Sequence, residues 1–319
     1  MKKLLKLLLL LSPIGLIVAG FLFRSDIYDQ WRLSQYDPPA RIEQIAQTTT
    51  MTADGQKRFF VAHPEIDQQT TFNQHCDIKE FSIILGCYDG RNIYLYDVKD
   101  KRLAGIVEVT AAHEMLHAAY DQLSGTQRKK VDDMTNEVYQ KLTNARLIAT
   151  VKNYEKQDSA SVPNELHSIL ATEVRSLPKD LEQYYAQYFS NRAAVVALSE
   201  KYEAEFTSRE TQVAALDQKL KATKSTIDDN QSRISSLGVE LTKNHQELDR
   251  LKSANEVSLY NMGVTIFNNQ VKSYNALITD TKKLIADYNK MVKERNNLAT
   301  EVQGLVEAID STPTETFKR

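Results

Sequence analysis

Between Pro178 and Pro313 the sequence has no proline, and only Gly238, Gly263 and Gly304 interrupt it. Phe206, Val213, Leu220, Ile227, Ile234, Leu241 and Leu248 follow one another at seven-residue steps, and Leu216, Leu237 and Leu251 fill companion positions three residues on. Such a repeat leaves few options. Its apolar residues lie along one stripe of a helix, and that stripe must be buried against another helix. Thr223, Asn230 and Asn244 share the companion positions, polar inclusions that cost stability and help to specify register. A second seam is expected at Val271, Ile278, Ile285, Val292, Ala299 and Val306, beside Leu277, Leu284, Met291, Leu298 and Leu305. The heptad phase slips across residues 253–263, which reads as a turn between two antiparallel helices. Each arm of about fifty residues would reach on the order of 75 Å. Tyr260, Phe267, Tyr274 and Tyr288, each followed by asparagine, form one stripe expected to pack inside this hairpin. Heptads do not state their partner, so the hairpin could equally be an arm of a homo-oligomer or dock another protein of the cell envelope.

Chemistry is concentrated elsewhere, at His113-Glu114-Met115-Leu116-His117. On a helix, positions i and i+4 lie one turn apart on one face, so both imidazoles can reach a single ion. A catalytic zinc takes three protein ligands and an open position for water, and Glu114 is placed to accept a proton from that water. Residues 92–98 alternate and are rich in β-branched and aromatic types, which predicts an edge-like strand. Residues 103–123 lack proline and end at Ser124-Gly125, a helix stop, which places the motif mid-helix. Ala111, Ala112, Ala118 and Ala119 would let a metal site pack close to neighbouring backbone.

The third ligand must come from another segment. Pro163 and Asn164 open a predicted helix over 162–174 that carries Glu165, His167 and Glu173. Here the chain resembles the gluzincin group of zinc metallopeptidases, which pair HExxH with a glutamate on a later helix, often followed three positions on by a small residue. Glu165-Leu-His-Ser168 matches that pattern, and Glu173-Val-Arg-Ser176 matches it too. The resemblance covers roughly residues 58–190. It implies a small α+β, zincin-like metallopeptidase domain that binds Zn2+ through His113, His117 and Glu165, with Glu173 as the other choice. It also implies Glu114 as general base and a peptide or protein substrate. The glutamate left over, or Asp121, would accept a ring N–H from a ligating histidine. His167, with Tyr120 and Tyr184 as weaker choices, would either stabilise the oxyanion or pack with a satisfied polar tip.

Lys2, Lys3 and Lys6 precede or open an apolar run over 4–23 that matches the length of a membrane span. With Asp26 and Asp29 beyond it, the run reads as a single-pass signal anchor that leaves the bulk of the chain extracytoplasmic. Cleavage near Val18-Ala19-Gly20 is the alternative. Cys76 and Cys87 flank a strand expected at 81–85 and would close a disulfide in an oxidising compartment, two buried thiols being the other reading. A net charge of −2 and ten scattered glycines give neither a basic stripe for nucleic acid nor a phosphate loop. The expected organisation is an anchor (1–25), a polar stalk (26–40), the zincin-like domain (41–190), a coiled-coil helical hairpin (191–310) and a disordered tail (311–319). Within the domain, a helix is expected at 40–47 and a strand at 58–62.

Overall fold

The computed structural model of the protein describes residues 24–76 and 83–312. Contacts divide the chain into two units, one that runs to Glu205 and resumes at Leu305, and one of Phe206–Gly304. The described chain is mostly helical, with a three-stranded sheet and a pair of long helices.

The globular unit begins with α1 (Arg24–Ser34), α2 (Ala40–Thr48) and α3 (Ala53–Val61). The expected helix at 40–47 is α2. The strand expected at 58–62 is instead the end of α3 and its cap. Thr52 caps that helix, its Oγ1 accepting from the Gly55 N–H at 3.2 Å, and Phe59 and Val61 are buried. A good cap and tertiary burial outweigh the β preference of a short aromatic run. Nor is segment 26–40 a stalk. Asp29 and Arg32 of α1 are buried; Arg32 Nε donates to the Val61 carbonyl at 2.9 Å, and Asp29 faces Lys57 at 3.2 Å.

The sheet comprises β1 (Glu65–Asp67), β2 (Gly86–Tyr88) and β3 (Ile93–Tyr96), in the order β1-β3-β2. β3 runs parallel to β1 and antiparallel to β2. The strand read at 92–98 is present, but it is central rather than an edge. Ile93, Tyr94 and Leu95 are all buried, the pattern of a strand covered on both faces. The strand expected at 81–85 starts later, at Gly86, and residues 81 and 82 lie outside the described residues. Cys76, at the end of α4 (Gln69–His75), forms a disulfide with Cys87 of β2, their Cα atoms 5.9 Å apart. In the chain-entropy picture that bridge contributes roughly 3 kcal/mol.

The HExxH segment lies in α5 (Ile106–Asp121). Gly105 precedes it with φ of 105°, and a Cβ there would sit 3.1 Å from the Leu198 Cβ, so the turn into the helix requires glycine. Ala111, Ala112, Met115 and Leu116 are fully buried. A helix apolar on nearly all sides belongs in the middle of a core. α5 accordingly packs on α2, α3, β2, β3 and α8 (Val162–Glu173). Ser124 does more than end α5: it caps α6 (Gly125–Tyr139) in a reciprocal capping box with Gln127. α7 (Ala145–Gln157) and α9 (Lys179–Tyr185) complete the unit, with the ends of two long helices, α10 (Arg192–Ser253) and α11 (Val257–Ile309). The globular unit therefore extends past the boundary expected at 190. Ser311, expected in a disordered tail, is buried and donates to the Ile84 carbonyl at 2.6 Å, while Thr312 accepts from Gln69 at 2.6 Å. Residues 313–319 lie outside the described residues.

In the second unit α10 and α11 are antiparallel. Arg209 pairs with Glu301, Asp217 with Arg295 and Asn244 with Gln270, so the residue numbers fall on one helix as they rise on the other. The turn is tighter than expected, only residues 254–256. Leu216, Ile227, Asn230 and Leu251 are buried on the α10 seam as the heptads require. On α11 the expected seam is partly buried at Val271, Ile278, Val292 and Ala299, beside Leu277, Leu284, Met291 and Leu298, while Ile285 and Val306 are 37% and 41% exposed. Phe267, Tyr274, Thr281 and Tyr288 turn inward at companion positions, as expected of the aromatic stripe.

Among the described residues, no helix is long and apolar enough to cross a membrane. This corrects the expectation of a single-pass membrane protein with an extracytoplasmic body. The run at 4–23 on which it rested lies outside the described residues, and the helices with sufficient length, α10 and α11, carry charge at too many positions.

Candidate metal centre

α5 and α8 pack face to face, and their contact brings together His113, His117 and Glu165. One ligand atom from each lies within 4.8 Å of the others. His113 Nε2 is 3.5 Å from Glu165 Oε2, and His117 Nε2 is 3.7 Å from Oε1. The two rings meet edge to face with centroids 4.7 Å apart. These side chains are 11–18% exposed, so the cluster is recessed but reachable. Glu165 Oε2 is buried without a hydrogen-bond partner. Two imidazoles and a carboxylate with an unsatisfied buried oxygen, converging from two helices, form a donor set that suits zinc.

The surroundings tune this set. Burial pushes the Glu165 carboxyl up, but His113, His117 and the Tyr154 hydroxyl outweigh it and hold the group below the usual carboxylate range. His117 Nδ1 lies 3.4 Å from the hydroxyl of Ser168, three residues after Glu165 on the same helix face. Glu114 points to the other side of the cluster and is only 5% exposed. Burial pushes its pKa up to about 7; His117 pulls it down, Glu165 pushes it up, and the backbone N–H of Tyr88 pulls it down. β2 reaches this carboxylate because position 86 is glycine. A Cβ there would lie 2.6 Å from Thr110 Cγ2 and 2.9 Å from Glu114 Cγ.

Other expected site residues lie elsewhere. Glu173, the second choice for third ligand, ends α8 and accepts from Arg146 at 2.5 Å. It is two turns past Glu165, on another part of the helix. Neither Glu173 nor Asp121 is the observed neighbour of His117; Ser168 is. His167 has, in the structure, the packed environment that was the other expectation. It is fully buried, with Nε2 2.9 Å from the Tyr184 hydroxyl, among the rings of Tyr120, Tyr185 and Tyr188. Burial, then the charges of His117 and His113, press its pKa down to about 3, so it is neutral. Tyr120 is likewise engaged, donating to Asp132 at 2.9 Å. The sequence reading missed Tyr154, Gly86 and Tyr88, whose roles depend on contacts across the fold. Only Ser168 had a local signal, its spacing from Glu165.

Set against known protein families, curated proteins and solved structures, the chain matches none of them.

Proposed function

We propose that the globular unit is a zincin-like, gluzincin-type peptidase that hydrolyses peptide bonds with Zn2+ as cofactor. The observation that carries this reading is the meeting of His113, His117 and Glu165 beside a buried Glu114. When bound, zinc supplies Lewis acidity for water and for the scissile carbonyl. His113, His117 and Glu165 hold the ion, and Ser168 orients the His117 ring through Nδ1. Glu114 accepts the proton of the attacking water on its carboxylate, holds it in a buried site, and delivers it to the leaving amine. A carboxyl with pKa near 7 suits both halves of that transfer at neutral pH. The Tyr88 N–H fixes the orientation of the carboxylate.

The test combines metal analysis and hydrolysis. The full chain should hold about one zinc, and Glu114→Gln should keep it while peptide cleavage falls about a hundredfold or more. Unchanged turnover in that variant would remove Glu114 from its role, and a chain that takes up no zinc would remove the reading. A second reading, a docking protein with a structural metal site, draws on exposed apolar residues near the hairpin turn. Val257, Met262 and Ile266 are 60%, 59% and 54% exposed. It predicts zinc without turnover and self-association that survives chelation.

A further inference from the structure

Beside Glu114 lies a cavity of about 270 Å³ whose walls come from α1, α3, β2 and the last turns of α5. Its key residue is Arg32, only 4% exposed. The guanidinium donates through Nε to Val61 O at 2.9 Å, and through Nη2 to Arg91 O at 3.0 Å and Asn92 Oδ1 at 2.7 Å. All three acceptors are neutral. Among the described residues Arg32 forms no ion pair, and its Nη1 makes no hydrogen bond. A buried cation without a counter-charge is costly, and the two N–H groups of Nη1 remain to donate to an anion. Arg58 and Arg91 line the same cavity, against Asp29 and Asp121. Asp29 is already bridged by Lys57 and Arg58, and Asp121 and Arg91 are both exposed, so Arg32 is the buried cation of this cavity, with Asp89 the nearby acidic charge.

The location connects this cavity to the proposed site. Ala118, in its wall, lies one turn after Glu114 on the same face of α5, about 6 Å along the axis. Tyr88 lines the cavity and also reaches the Glu114 carboxylate with its backbone N–H. A peptide lying across Glu114 thus has a recessed cationic pocket within one residue's reach.

We infer that this cavity is a carboxylate-binding pocket, with Arg32 as the specificity-determining residue, and that it recognises an acidic group of the peptide substrate. The inference rests on the peptidase reading for its placement. The carboxylate comes from a chain end or from an acidic side chain, and the cavity has room for one such group.

The test is calorimetric binding to the full-length Glu114→Gln chain. Three probes are used: acetyl-tetra-alanine with a free C-terminus, its C-terminal amide, and an acetyl tetrapeptide amide in which glutamate replaces one alanine. One carboxylate probe should bind at least about tenfold more tightly than the neutral amide, the strength of a charge-assisted hydrogen bond. Preference for the free C-terminus names the chain end, and preference for the glutamate probe names the side chain. Arg32→Gln should abolish the preference, and Arg91→Gln, at an exposed rim position, should reduce it several-fold. If Arg32→Gln does not fold, Arg91→Gln decides. Equal binding of the three probes, or a preference untouched by the variants, overturns the pocket. Because binding is read without turnover, the two readings fail separately. A chain that shows the preference but takes up no zinc loses the peptidase reading and keeps the pocket; one that cleaves without the preference does the reverse.

Discussion

The hairpin and the globular unit both bury polar groups, but by different routes. In the hairpin, Asn230 and Thr281 are buried because they occupy seam positions of a repeat, and Asn244 reaches across to Gln270 at 2.7 Å. Each position is set by residues within a few turns. In the globular unit, Glu114 and His167 are buried and Glu165 is recessed because two helices, α5 and α8, converge from positions about fifty residues apart. The first route gives a long structure with replaceable parts. The second gives a small, dense region in which most buried polar atoms have a specific neighbour, and where Glu165 Oε2 is among the few that have none. Unsatisfied groups of that kind are where ligands bind.

Perturbations should therefore separate the two units. The largest effect is expected from Glu165→Ala, which removes one of the three proposed zinc donors. Zinc affinity should fall by a hundredfold or more by competition titration, while helical circular dichroism of the hairpin is unchanged. Retained affinity would mean that a group other than Glu165 completes the site. Next is the disulfide. Replacing Cys76 and Cys87 with serine should cost the globular unit roughly 3 kcal/mol in denaturant unfolding and leave the hairpin transition in place. Gly86→Ala forces β2 away from Thr110 and Glu114, at about 1–3 kcal/mol in thermal unfolding. The same change should cut hydrolysis more than stability alone explains, since it moves the Tyr88 N–H off the Glu114 carboxylate. In the hairpin, Asn230→Leu should raise stability by about 1 kcal/mol while loosening register, visible as extra oligomers in light scattering.

The smallest effect concerns pH. Burial works to raise the Asp97 carboxyl, but hydrogen bonds from Arg41 at 2.7 Å and Gln68 at 2.7 Å, with Lys99 nearby, hold its pKa below the ordinary value. A lowered folded pKa stabilises the fold above the unfolded value, and that contribution is lost as pH falls through the folded one. Arg41 is half exposed, so the contribution should stay below about 1 kcal/mol. Asp97→Asn should flatten the loss of thermal stability as pH falls below about 4, and leave the value unchanged once the native carboxyl is protonated.

Legibility followed the same division. The α10 seam, the HExxH helix and the helix over 162–174 were readable because period and capping are local properties. On α11 the expected seam was legible except at Ile285 and Val306, which are exposed. The strand expected at 58–62 is helical because Thr52 starts a helix ahead of it. The surroundings of His167 were not legible: two residues after Glu165 it faces away from that carboxylate on the helix, and Tyr120, Tyr184, Tyr185 and Tyr188 enclose it. The stalk became a packed helix because Asp29 and Arg32, polar in the sequence, have partners more than twenty residues away.

By itself the sequence determined that a long helical pair would form, and that His113, Glu114 and His117 would share a helix. Both follow from rotation per residue along a helix. Only the tertiary structure set Glu165 rather than Glu173 beside the two histidines, placed Tyr88 and Gly86 against Glu114, and left Arg32 lining a cavity. Each of those outcomes depends on how close two distant backbones come, and one sequence with local periodicity holds no measure of that distance.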